Sequence, residues 1–211
     1  VADEFVVVVS GADGLASWHD LDKKAQANMS RAVNAAAARA KAESARDIAA
    51  DVGFPSQYLT GDRFSITKYS TKDDLEAVIS ARFRPTSLAR FVSSMSSARG
   101  RARGGDQPIG LTVEVKPGLA KFMTGAFTIP LKRGTADIDT QANMGVAIRL
   151  RGSPMHNKRV MAVSMGKGLY LLYGPSVAQV FGGDHGVAEK VSGPTADYMA
   201  SEFERLMGLD L

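Results

Sequence analysis

Leu169-Tyr-Leu-Leu-Tyr-Gly-Pro-Ser-Val-Ala-Gln-Val-Phe181 is an apolar run that ends at a Gly-Pro-Ser turn and continues as an amphipathic stretch. The run Leu169 to Tyr173 reads as a strand, because aromatic and branched apolar residues suit a pleated, half-buried surface. The turn residues stop it, and Val177, Val180 and Phe181 follow at helical spacing. The stretch holds no acid, no base and no strong nucleophile. It is expected to pack and to assemble, with Tyr170, Tyr173, Val177 and Phe181 at a subunit interface.

On its N-terminal side lies a series of period-two segments. Phe5 to Val9 reads as a strand, closed by Ser10-Gly-Ala-Asp-Gly14. Further strands are expected over Arg63 to Thr67, Leu75 to Arg84, Leu111 to Lys116, Ala126 to Pro130, Val146 to Arg151 and Val160 to Ser164. Between the first strand and the rest runs the strongest helical signal, Leu15 to about Val52. Asp13 or Ser17 is placed to cap it. Leu15, Trp18, Leu21, Met29, Val33, Ile48 and Val52 recur at helical spacing, with many alanines between them, and Gly53-Phe-Pro55 stops it. A second helix is expected from Pro194, tolerated at a first helical position, to about Met207. Helix, a run of strands, then helix implies an α+β class. We expect one domain over residues 1–211, with a long N-terminal helix and a C-terminal helix packed on a mainly antiparallel sheet. Residues 1–14 would form an N-terminal strand or arm. Residues 86–108 would form a flexible loop rich in arginine, glycine and serine, and Lys132 to Met144 a second polar connection.

Composition narrows the chemistry. The chain has 211 residues, no cysteine and a formal net charge of +4. Thiolate metal sites, disulfides and cysteine nucleophiles are therefore excluded. No apolar run approaches the ~20 residues needed to cross a bilayer, so a soluble, cytoplasmically made protein is expected.

Catalytic signatures are weak. His19, His156 and His185 lack the spacing of a zinc pair. Gly174-Pro-Ser-Val-Ala178 lacks the closing glycine of a nucleophile elbow, so Ser176 reads as a turn residue. Met165-Gly-Lys-Gly168 is no phosphate loop. Asp73-Asp74 and the Asp137/Asp139 pair fit solvated turns better than a metal or acid–base site. No enzyme activity and no cofactor are expected.

Cations are more suggestive. Arg99-Gly-Arg-Ala-Arg103 places three guanidinium groups in a glycine-flanked loop, with Arg90 nearby in sequence. Thr140 to Gly183 contains no acid but carries Arg149, Arg151, Lys158, Arg159 and Lys167. On a strand Arg149 and Arg151 share a face. Arg90, Arg99, Arg101, Arg103, Arg149 and Arg151 are thus candidates to meet a DNA backbone or an acidic partner without reading sequence. Trp18, Leu21, Tyr170, Tyr173, Val177 and Phe181 are candidates for contacts between subunits, with Met207 among the side-chain types that favour interfaces.

The order of features resembles a phage tail protein. The alanine-rich helix runs into Ala45-Arg-Asp-Ile-Ala-Ala-Asp-Val-Gly-Phe-Pro55. Tyr58-Leu, the strand Arg63-Phe-Ser-Ile, and Ala81-Arg-Phe-Arg-Pro85 follow. Then come the arginine-rich middle, Tyr173-Gly-Pro-Ser-Val-Ala-Gln-Val-Phe181 and a closing helix. From about Leu15 to Leu211 this is similar to the minor tail protein Z family of lambda-type prophages, and more loosely to tail-completion and neck proteins. The resemblance implies a structural virion protein without catalytic residues. It would form a ring, expected to be hexameric, at the head-proximal end of the tail, and serve tail completion and head–tail joining. Its partners would be itself, neighbouring tail-tube, terminator or connector proteins, and the DNA backbone in the channel. It would be assembled in the host cytoplasm and touch no membrane. The chain departs from the family in being less basic and in carrying the strand Phe5 to Val9, which would be free to add to a neighbour's sheet. The alternative reading is a sequence-independent nucleic-acid-binding protein.

Overall fold

A computed structural model describes residues 4–10, 23–55, 57–95, 110–131, 143–150, 161–183 and 186–208. The fold is α+β, with an N-terminal helix, a C-terminal helix and antiparallel sheets. The expected single domain divides into two compact units: residues 1–49, 57–84 and 177–211 form one, and residues 50–56 and 85–176 the other.

The first unit is built on a three-stranded sheet. β3 (Glu76–Arg82) lies between β1 (Glu4–Ser10) and β2 (Phe64–Lys68). Both neighbours run antiparallel to it, and Val7 and Ile66 each stand opposite Ile79. β1 therefore pairs within its own chain's sheet, the strand of the two forms, strand or arm, that the sequence offers for residues 1–14. Helix α1 (Lys23–Asp51) buries Met29, Val33 and Ala37 against Leu75 and Ala77. Ile66, Met199 and Phe203 complete that cluster. Alanine dominates the buried face (Ala25, Ala32, Ala36, Ala37, Ala40), which lets neighbouring elements approach the helix backbone closely.

Helix α3 (Val187–Gly208) runs antiparallel along α1. Asn28 donates to the carbonyl of Leu206 near one end, and the Arg39 guanidinium sits 4.6 Å above the Tyr198 ring toward the other. The helix begins seven residues before Pro194, where the sequence placed its start. Val187, Val191 and Thr195 are buried at four-residue spacing, so a continuous face drives helix formation through the proline. Pro194 removes one donor to the carbonyl of Lys190, an exposed residue where water can replace it. The short helix α2 (Val177–Gly182) sets Phe181 edge-on against Phe64, with ring centroids 5.1 Å apart.

A polar clasp holds the β2–β3 connection to α1. Asn34 donates to the Ser70 carbonyl at 2.9 Å and accepts from the Ser70 amide at 2.8 Å. Ser30 donates to the same carbonyl at 3.0 Å. Lys68 bridges Asp74 and Glu76 at 2.7 and 2.6 Å. The hydrogen bond to Asp74, then that to Glu76, holds the Lys68 ammonium above its ordinary pKa.

The second unit contains two antiparallel sheets. One has the order β4 (Val92–Met95), β5 (Gly110–Lys116), β6 (Leu119–Thr124). The other has the order β7 (Ala126–Pro130), β8 (Met144–Arg149), β10 (Leu169–Tyr173), β9 (Met161–Ser164). Among the described residues there are three antiparallel sheets, where one was expected. β4 and a preceding 3₁₀ turn, Leu88–Phe91, also fall within the stretch read as a flexible loop. Leu88, Ala89 and Phe91 are buried there, so that part of the loop is core; residues 96–109 lie outside the described structure. Phe91 packs against Phe54, centroids 5.6 Å apart. At the β9–β10 turn Gly168 has φ +71°, and a Cβ there would meet the Leu150 carbonyl oxygen at 2.2 Å, so only glycine fits.

Candidate assembly surface

The Leu169–Phe181 segment is built as strand, turn and helix, as the sequence indicates, but most of its apolar side chains face inward. Leu172, Val177, Val180 and Phe181 are all at most 2% exposed. Val177 and Phe181 are therefore core side chains of this chain, with little surface left to offer the subunit interface expected of them. Tyr170 and Tyr173 are half-buried on β10, on opposite faces of the sheet. Gly174 is required by packing: its amide donates to the Thr86 carbonyl at 2.8 Å, and a Cβ would lie 2.7 Å from Phe91 Cε2. Ser176 is wholly buried.

Of the candidate cations, two are described. Arg90 lies half-buried on the 3₁₀ turn. Arg149 is exposed at the end of β8, opposite Leu169, on the same sheet face as Tyr173. Arg99, Arg101, Arg103 and Arg151 lie outside the described residues, as do Trp18, Leu21 and the three-guanidinium loop as a whole. His19, His156 and His185 also fall outside them. Among the described residues no group of His, Asp and Glu is arranged to hold a metal ion, and no helix is long and apolar enough to cross a membrane.

The sheet edges supply what the sequence reading missed. β9 pairs only with β10 among the described residues and is the edge of that sheet there. Met161 and Val163 are 46% and 50% exposed and share one face of that strand; Met165, next in the alternation, is 53% exposed. The register Phe127–Ala147–Leu171–Val163 runs across all four strands, so Phe127 at the opposite edge belongs to the same face. β6 is a second edge. It pairs only with β5 among the described residues, none of its residues is buried, and Leu119 and Phe122 project from it. An edge strand with outward apolar side chains is a template for adding another strand. The alternation Met161–Val163–Met165 is written in the sequence, but a pleat has two faces and alternation alone does not say which one is covered.

Comparison of the chain with family models, with curated proteins and with solved structures finds no match.

Proposed function

We propose that the protein is a structural subunit of a tailed-phage virion, acting in a ring at the head-proximal end of the tail, where it completes the tail and joins it to the head. The observation that carries this reading is β9, an edge strand among the described residues, with its row of exposed apolar side chains, Met161, Val163 and Met165. Such an edge is a template on which another chain can add a strand. The order of features that resembles minor tail protein Z supplies the virion context. On this reading the chain works by occupying a position in an assembly and has no catalytic step. The partners are further copies of itself, the adjoining tail or connector ring, and the DNA backbone within the channel. A phage lacking the gene should accumulate filled heads and unjoined tails, and purified subunit added to that lysate should restore infectious titre. Joined, infectious particles formed without the subunit would refute the proposal.

A second reading, sequence-independent binding to nucleic acid, is favoured by the acid-free stretch Thr140 to Gly183 and by exposed Arg149 and Lys167 within it. Steeply salt-dependent DNA binding by the purified subunit, together with normal joining in its absence, would favour that reading.

A further inference from the structure

We infer that the DNA contact of this chain belongs to its second unit, and that Arg149 and Lys167, at one end of the four-stranded sheet, meet the phosphate backbone there. The inference rests on the reading that the subunit lines the path of the DNA. The division of the chain into units also divides its charge. Residues 50–56 and 85–176 carry 13 Lys and Arg against 5 Asp and Glu, a formal +8. Residues 1–49, 57–84 and 177–211 carry 13 against 17, a formal −4. The +4 of the whole chain is thus the sum of a basic unit and an acidic one. The basic unit's two described acids are both engaged within it. Asp51 stands 4.0 Å from the Lys116 ammonium, and Glu114 accepts from the Gly118 amide at 2.7 Å. A positive surplus of this size attracts a polyanion irrespective of sequence. The acidic unit of another copy neutralises at most half of it. Identical subunits gathered at +4 each still repel one another, and a polyanion removes that repulsion.

Two observations point to the β9–β10 turn as a phosphate contact. First, the turn holds a residue that its backbone does not favour. Gly166, Lys167 and Gly168 have φ of +85°, +52° and +71°. Glycine is at ease in this left-handed region and asparagine is well tolerated there, whereas lysine is not. Lys167 is exposed, so packing does not call for it either. What lysine adds at this position is its ammonium. Second, the fold brings another cation to the same end of the sheet. Arg149 is exposed on β8 opposite Leu169, and the amide of the next residue, Leu150, donates to the Gly168 carbonyl at 2.8 Å. Thr140 to Gly183 holds no Asp or Glu, so neither β8, β9 and β10 nor the chain joining them supplies an acid to either cation. An ammonium on a flexible stem and a planar guanidinium both suit phosphate oxygens. Contacts of this kind position a duplex and read no sequence.

The test uses the full chain and a fluorescently labelled DNA duplex of mixed sequence. Anisotropy titrations between about 50 and 200 mM salt give the slope of log affinity against log salt. R149Q/K167N removes both cations, and asparagine suits the left-handed turn, so the thermal midpoint should stay close to wild type. Each lost phosphate contact takes about 0.9 from the slope. The variant's slope should therefore be shallower by about 1.8, and its affinity about tenfold or more lower at 0.1 M salt. K72Q/R84Q removes the same charge from exposed positions of the acidic unit and should change neither quantity. No binding by wild type, an unchanged slope in R149Q/K167N, or an equal loss in K72Q/R84Q would overturn the inference. Salt-sensitive self-association in sedimentation without duplex binding would also overturn it, by assigning the basic unit to the acidic unit of another copy. The virion reading is decided separately, by counting copies in particles, where a subunit that binds no DNA is still present.

Discussion

Replacing Asn34 with alanine tests how α1 is fastened to the sheet of its unit. Asn34 makes two hydrogen bonds to the Ser70 backbone, one to the carbonyl and one from the amide, at 2.9 and 2.8 Å. Ser70 is 5% exposed, so water does not easily replace them. Its carbonyl keeps the Ser30 hydroxyl after the substitution, but its amide loses the Asn34 oxygen. Two net hydrogen bonds are worth about 2 kcal/mol. Alanine's higher helix propensity returns about 0.6 kcal/mol at this mid-helix position. The expected loss is therefore about 1.5 kcal/mol. Ser30→Ala removes one of two donors to the same carbonyl and also gains propensity, so it should cost about 0.5 kcal/mol. The double variant should lose more than the sum, because the carbonyl is then left without either side chain. Urea unfolding gives the energies, and hydrogen exchange at the Ser70 amide reads the local consequence. A loss under about 0.3 kcal/mol with the amide still protected, or Ser30→Ala costing more than Asn34→Ala, would refute the reasoning.

Phe181→Ala should cost about 3–5 kcal/mol in the isolated subunit, measured by urea unfolding, because the ring is buried edge-on against Phe64. A loss under about 1 kcal/mol would instead return Phe181 to the interface role that the sequence suggested. Gly174→Ala should destabilise by about 1–3 kcal/mol, because the new methyl group meets the Phe91 ring; a thermal midpoint equal to wild type would contradict that packing. The Lys68 ammonium is held above its ordinary pKa by Asp74 and Glu76. Its contribution is therefore fully present below the unfolded lysine value and is lost as pH rises through the folded one. Wild-type stability should show a small decline at strongly alkaline pH that Lys68→Met lacks, and identical alkaline limbs in pH-dependent unfolding would argue against the clasp.

Much of the architecture is legible in one dimension, and the failures have physical causes. The strands Ala126–Pro130 and Leu169–Tyr173 carry runs of residues suited to a sheet, and α1 announces itself through alanine. β6 stays hidden because none of its residues is buried, so no one-sided burial writes a pattern into Leu119–Thr124. β4 reads as loop because its residues are Val-Ser-Ser-Met; pairing with β5 makes it a strand, with a register shift between Val92 and Ser94. The proline rule misplaces the start of α3, since Val187 and Val191 outweigh one missing hydrogen bond. The division into two units is invisible in the sequence because each unit is assembled from separated stretches, leaving no linker of distinctive composition. Of the candidate site, the apolar character of Leu169–Phe181 is legible but its direction is not. Core and interface use the same side chains, and only the fold shows that Phe181 points inward while Met161 and Val163 point out.

The central claim is that this chain is a ring component of a virion. Quantitative mass spectrometry of purified particles tests it most directly, with the portal protein as internal standard. The account predicts one ring's worth of copies per particle, close to the level of the portal. Hundreds of copies, as for a tube or shell protein, or none at all, would contradict it.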